Sequence, residues 1–284
     1  MTRSLLALLP AALLLTACGG GGSSSSSGGL PTVQAAKQYT LGSFSPSRPA
    51  PLGRPVRVSF VIVQPNGTPL TQFKRGAGPH TGVHLIIVRK DLATIIHTHP
   101  PVQPDGTIAT TVTFTLPGPY RIVVDAYPKS GSQPNFQLFT SLVVKGRYVP
   151  KPLPAFAKTQ KVDGYTVTMV GTPDLHAIQA GYIHFTVTNP EGKPVVFTPW
   201  FGALAHAIFF RAGSLDYFHT HICSPSETAC AAAVGSTRIS GKSDKPGKLT
   251  AGVLVPVPGT WRLFLQFRDH GTIVTAPFTL HVKP

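Results

Sequence analysis

Carboxylates are scarce in this chain: 10 Asp and Glu stand against 25 Lys and Arg, and only 12% of residues are charged. So few acids leave little material for the positioned carboxylates that a hydrolase uses as general acid and base. Helical periodicity is missing as well. No segment repeats apolar residues at i, i+3, i+4 and i+7, which argues against a helical protein. Past Leu15 there is no apolar run approaching the roughly 20 residues of a spanning helix, so no transmembrane segment is expected. The basic excess comes without an aromatic-rich RNA motif or a recognition helix, which sets nucleic acid aside as a partner. Cysteine is limited to Cys18, Cys223 and Cys230.

What is present begins at the N-terminus. Arg3 is followed by Leu5 to Leu15, almost pure Leu and Ala and broken only by Pro10. That is the length of a signal h-region. Leu15-Thr16-Ala17-Cys18 resembles the bacterial lipobox, in which the cysteine is acylated and becomes the first residue of the mature chain. The expectation is a signal peptide over 1–17 and a lipidated Cys18. A linker over 18–35 follows, in which Gly19 to Gly29 are only Gly and Ser. Such a segment is a flexible coil. The folded part is then extracytoplasmic and lipid-anchored to a bacterial membrane, with membrane lipid as its first partner. The formal charge of +15 becomes +14 once Arg3 is removed, a balance that favours anionic head groups or wall polymers. An oxidising compartment allows a Cys223–Cys230 disulfide. The alternative, a thiolate metal site, lacks the usual C-x-x-C form.

An internal duplication organises the remainder. Gly82-Val83-His84-Leu85-Ile86-Ile87-Val88-Arg89 corresponds to Leu204-Ala205-His206-Ala207-Ile208-Phe209-Phe210-Arg211, and His97-Thr98-His99 to His219-Thr220-His221. All three histidines are offset by 122 positions. Pro65-Asn66-Gly67-Thr68-Pro69 matches Pro190-Glu191-Gly192-Lys193-Pro194. Further on, Leu116-Pro117-Gly118-Pro119-Tyr120-Arg121 matches Val257-Pro258-Gly259-Thr260-Trp261-Arg262 at an offset of 141. The extra residues of the second copy fall in the region that holds Cys223 and Cys230.

Within a copy, short apolar runs alternate with Gly, Pro and Asn: Val56 to Val63, His84 to Arg89, Ala93 to His99, Ile108 to Leu116, Tyr120 to Ala126 and Phe136 to Val144. These are strand and turn signals. They predict an all-β protein of two tandem immunoglobulin-like (or cupredoxin-like) antiparallel β-sandwiches, over 36–150 and 151–284.

The repeated histidines are the candidate site. Taking Lys90 and Asp91 as a two-residue hairpin loop sets His84 opposite His97. Centring the second hairpin on Ala212-Gly213 sets His206 opposite His219. Period two adds His99 and His221, so each copy gathers three imidazoles on one face. Ile86, Val88 and Ile95 share that face in the first copy, and Ile208, Phe210 and Tyr217 in the second. The spacing thus predicts two metal sites, His84, His97 and His99 in one copy and His206, His219 and His221 in the other, suited to Cu(II) first and Zn(II) second. His80 and His270 are possible fourth ligands. The bland alternative is that the imidazoles hydrogen-bond a neighbouring loop. After Met1 the only methionine is Met169, which excludes a Met-rich Cu(I) site, and the first copy has no cysteine for a blue-copper centre. His176, His184 and His281 have no repeated partner and are read as structural or surface residues.

The H-[LA]-I-[IF]-[VF]-R…H-T-H pattern, with the P-G-x-[YW]-R segment after it, resembles secreted bacterial proteins with immunoglobulin-like domains of the YtkA-like or copper-resistance kind. The resemblance implies an envelope β-sandwich in copper or other metal handling, with an envelope protein as a further partner. The expected function is non-enzymatic buffering or delivery of metal. A structural or adhesive module is the first alternative. A metalloenzyme is the second, disfavoured because no acidic residue is seen paired with either triplet.

Overall fold

The computed structural model describes residues 38–74, 82–131, 135–222 and 243–284. The expected signal peptide, Cys18, the Gly/Ser linker, His80, Cys223 and Cys230 lie outside the described residues. Lys37–Pro284 forms one compact unit. Among the described residues no helix is long and apolar enough to cross a membrane.

The chain is all-β. Its strands are β1 (Thr40–Ser45), β2 (Pro55–Val63), β3 (Gly82–Arg89), β4 (Ile95–Thr98), β5 (Thr107–Thr113), β6 (Gly118–Tyr127) and β7 (Phe136–Val144). The second copy continues with β8 (Thr159–Val162), β9 (Tyr165–Met169), β10 (Leu175–His176), β11 (Gly181–Thr188), β12 (Ala205–Arg211), β13 (Tyr217–Ile222), β14 (Lys248–Val253), β15 (Gly259–Asp269) and β16 (Thr272–Lys283). Among the described residues these form four sheets, ordered β1-β2-β5, β4-β3-β6-β7, β8-β9-β11-β14 and β13-β12-β15-β16-β10. Pairing between the strands is antiparallel except for the short parallel pair of β10 with β16. Each copy is a sandwich of two of these sheets, in the immunoglobulin-like order.

The repeated motifs explain themselves locally. Gly118 and Gly259, the glycines of the two Pro-Gly corners, adopt φ of 116° and 130°, values that any side chain would strain. Two residues on, the Tyr120 hydroxyl donates to Leu116 O at 2.8 Å, and Trp261 Nε1 donates to Val257 O at 3.1 Å. The P-G-x-[YW]-R motif is therefore a corner in which the aromatic ring ties back four residues and starts β6 or β15.

Burial separates outer sheets from inner ones. β2 and β11 alternate between buried and exposed positions, as strands with one wet face do. β3 and β12 are buried at nearly every position. Val83, Leu85 and Ile87 belong to the first sandwich core, and Ala205, Ala207 and Phe209 to the second. The opposite faces of these strands form a third core: Ile86, Val88, Leu92 and Val123 of the first copy pack with Ile208, Phe210, Leu215 and Phe264 of the second. Each large apolar side chain buried there is worth about 1.5–3 kcal/mol. The inner sheets thus pack face to face, and the histidine-bearing face lines the seam between sandwiches, not the core of its own sandwich.

The linker between the copies is clamped at this seam. Arg89 donates to Asp91 at 2.6 Å and to Pro117 O at 2.9 Å. Asp91 Oδ2 also accepts the backbone N–H of Lys151 at 2.8 Å.

Candidate metal centre

The hairpin loops are longer than expected. In the first, the Arg89 N–H bonds Thr94 O at 3.1 Å and Leu92 turns the chain at φ 61°. The loop therefore holds four residues, not two. Pairing shifts by two: His97 faces Ile86 and His219 faces Ile208. His206 faces His221, not His219. The same register, continued past β4, brings His99 to His84, whose rings stack at 4.0 Å. A shift of two preserves the face, because strand side chains repeat every two residues. Each triplet stays together.

The two triplets are not two sites. At one end of the apolar seam all six histidines meet. His84 Nδ1 lies 3.5 Å from His219 Nδ1 of the other copy, and the His97 and His206 rings are 4.9 Å apart. Ring nitrogens of His84, His97 and His219 lie within 4.8 Å of one another, as do those of His206, His219 and His221. His99 stands beside the first group, its Nε2 3.2 Å from His97 Nε2. His270 belongs to neither group; it lies in the β15–β16 turn with a side chain 92% exposed. His176, His184 and His281 are outside the groups too, the first two bonded to Pro284 O and Thr250 Oγ1.

Several site residues escaped the sequence reading. Gln266 faces His206 across β12 and β15, yet its Oε1 sits 3.2 Å from Nδ1 of His97 in the other copy. Its amide nitrogen donates to Thr275 Oγ1 at 3.0 Å, which fixes the oxygen toward the ring. His97 therefore carries its proton on Nδ1 and presents the Nε2 lone pair. Trp200 O, 3.0 Å from His206 Nε2, does the equivalent for His206 and leaves Nδ1 as the lone pair. This is one bond of the loop-tethering kind that the bland reading foresaw. Phe201 stacks on His99 at 3.8 Å. Asp125, the counterpart of Gln266, lies opposite His84 in the register with Oδ2 4.0 Å from its Nδ1, so the expectation that no acid accompanies a triplet is corrected. A polar residue inside an apolar run was the available signal: Asp125 in Ile-Val-Val-Asp-Ala, Gln266 in Leu-Phe-Leu-Gln-Phe.

The electrostatics favour neutral rings. Desolvation by burial holds His97 and His219 well below the ordinary imidazole value, with neighbouring imidazoles adding to the shift. It does the same to His99, and it lowers His206 to about 4. Burial pushes the Asp125 carboxyl up to about 7 against hydrogen bonds from Tyr127 and Tyr217. A neutral imidazole with a lone pair aimed inward is the form that ligates a metal. The N···N separations of 3.2–3.5 Å are those of two nitrogens each about 2.0–2.1 Å from a common ion. A cavity of about 270 Å³, lined by residues including Phe73, Lys74, Val83 and Pro100, borders His99.

A domain of unknown function (DUF8832) matches residues 160–284, the second copy. No curated protein matches the chain. Among solved structures, a Corynebacterium diphtheriae protein described as membrane anchored shares 12% identity at a TM-score of 0.27, covering 88% of this chain and 59% of its own. This chain thus spans about three fifths of that protein's length. A tetra-tandem repeat of a large adhesion protein shares 13% at 0.26, covering 87% of this chain and 49% of its own. The D0-D1 domain of intimin shares 15% at 0.24, covering 87% and 98%. At these TM-scores the likenesses carry no argument about function or location.

Proposed function

We propose that the interface histidine cluster binds a divalent transition metal, Cu(II) before Zn(II), and that the chain is a non-enzymatic envelope lipoprotein that buffers or delivers it. One observation carries the reading. Six imidazoles from two copies converge in a buried seam, and hydrogen bonds to Gln266 and Trp200 leave inward lone pairs on two of them. An all-imidazole donor set suits borderline metals, and Cu(II) outranks Zn(II) for nitrogen ligands. The likeness of the histidine pattern to YtkA-like and copper-resistance domains supports the same choice. The lipobox resemblance at Cys18 supports a site outside the cytoplasm, where a flexible Gly/Ser tether would let it meet an envelope partner.

The test is titration of Cu(II) and Zn(II) into tag-free protein from which residues 1–29 have been removed, with elemental analysis of protein purified without a metal column. Binding that is tighter than in a variant with His84, His97 and His99 changed to Ala supports the proposal. Equal binding by the two proteins sinks it. Wall or partner binding indifferent to both chelator and histidine substitution would instead favour the structural or adhesive reading.

A further inference from the structure

His219 differs from His97 and His206 in what its two ring nitrogens face. Its Nδ1 points to His84 Nδ1 at 3.5 Å and its Nε2 to His206 Nδ1 at 3.2 Å. It is also the one residue common to both groups of ligand nitrogens, one built with His84 and His97, the other with His206 and His221. Its counterpart His97 cannot play that part, because Nδ1 is held by Gln266 Oε1 and only Nε2 is left. The asymmetry has a simple origin. Where the second copy has Gln266, the first has Asp125, one methylene shorter, and Asp125 contacts His84, Tyr127 and Tyr217 instead. Replacing a long amide by a short acid leaves the second nitrogen of His219 facing an imidazole.

We infer that the cluster is one dinuclear centre in which the His219 ring bridges two metal ions, one on each nitrogen. This rests on the proposed metal-binding role and goes beyond it. The first ion is held by His84, His97 and His219, with His99 adjacent; the second by His206, His219 and His221. Loading both nitrogens replaces the ring's N–H bond with a second N–metal bond, and the proton leaves to solvent; neither metal changes oxidation state. Loss of that proton also removes one positive charge from a buried site that has Asp125 beside it. Because both ions share a ligand and one group draws on both copies, filling the centre ties the two sandwiches together.

The experiment is a Cu(II) titration of the detergent-solubilised full chain, with copper counted by elemental analysis and unpaired spins by integrated electron paramagnetic resonance. Two coppers per chain are expected. The integrated signal rises with the first and falls well below the copper content with the second, as two d⁹ ions couple through the ring. One Cu(II) with one Zn(II) restores a full single-copper signal. In His219→Gln the coupling is lost and the second equivalent binds at least tenfold more weakly. Two coppers with full spin count in the unaltered chain, a single copper, or coupling that survives in His219→Gln would each overturn the bridge while leaving metal binding intact. Absence of any copper or zinc binding overturns the proposed function itself. Should His219→Gln fail to fold, the spin count and the copper–zinc hybrid of the unaltered chain decide.

Discussion

His97 Nδ1 lies 3.2 Å from Oε1 of Gln266, a residue 169 positions later and in the other copy of the repeat. The contact crosses the seam, fixes the tautomer of His97 and is one of the buried polar contacts between the two sandwiches. Outer hydrogen bonds of this kind orient a ligating imidazole and tune its affinity.

Changing Gln266 to Leu keeps the volume but leaves the His97 N–H without its acceptor. A buried donor stranded in this way costs about 1–3 kcal/mol, and copper affinity should fall roughly 10–100-fold. The variant Gln266→Glu keeps an oxygen that accepts from Nδ1–H and should recover most of the affinity. Urea unfolding of metal-free protein and competitive copper titration measure the two effects separately.

The apolar half of the seam should matter to the histidines that adjoin it. Phe210 is fully buried between the copies and packs against Tyr217 with ring centroids 5.4 Å apart. Phe210→Ala opens a cavity there and should cost about 3–5 kcal/mol. Because one ligand group draws on both copies, it should also weaken metal binding without touching a ligand. The denaturation midpoint and a copper titration of the folded variant test both halves of this expectation.

Much of this was legible in the sequence, and the exceptions have physical reasons. The duplication and the strand signals gave the sandwich, and the period of two kept His84, His97 and His99 on one face even though the register moved by two. The hairpin length was not legible, since nothing in Arg89-Lys90-Asp91-Leu92 announces that Leu92 takes a left-handed backbone at φ 61°. The seam was hidden for another reason. An apolar run such as Leu85-Ile86-Ile87-Val88 records that both faces are buried, but not what covers the second face. That Ile86 and Val88 meet Ile208 and Phe210 is a tertiary fact. Gln266 was missed because its partner lies in the other copy.

The Arg89–Asp91 pair should be a fixed point of the inter-repeat linker. Both side chains are nearly inaccessible, 2% and 4% exposed, at 2.6 Å, and Asp91 also holds the Lys151 N–H. Asp91→Ala leaves the Arg89 guanidinium buried with only carbonyl acceptors. Removing one partner of a buried pair costs about 3–5 kcal/mol. The second copy offers a control: Arg211 and Asp216 are 3.6 Å apart and 35% and 42% exposed, so Asp216→Ala should cost less than about 1 kcal/mol. Thermal unfolding of the two variants side by side reads the contrast.

Metal-free protein should lose stability as the pH falls below about 6.5, the value at which histidine titrates in an unfolded chain. In the folded state His97, His99, His206 and His219 all titrate lower because burial disfavours their charge, His206 at about 4. Above the unfolded value both states are neutral at these rings, and stability does not depend on them. Below it the unfolded chain binds protons that the folded chain refuses, so stability drops with falling pH. Each such histidine contributes a slope of roughly 1.4 kcal/mol per pH unit at most. Asp125 acts with the opposite sign: raised to about 7, it takes up a proton in the folded state first and so favours folding as the pH falls from 7 toward 4. One carboxyl against four imidazoles leaves a net loss. Urea midpoints at pH 7 and pH 5 without metal should therefore differ in favour of pH 7, and by less in His206→Gln. An unchanged or higher midpoint at pH 5 would mean that these four rings are not held neutral by burial in the seam.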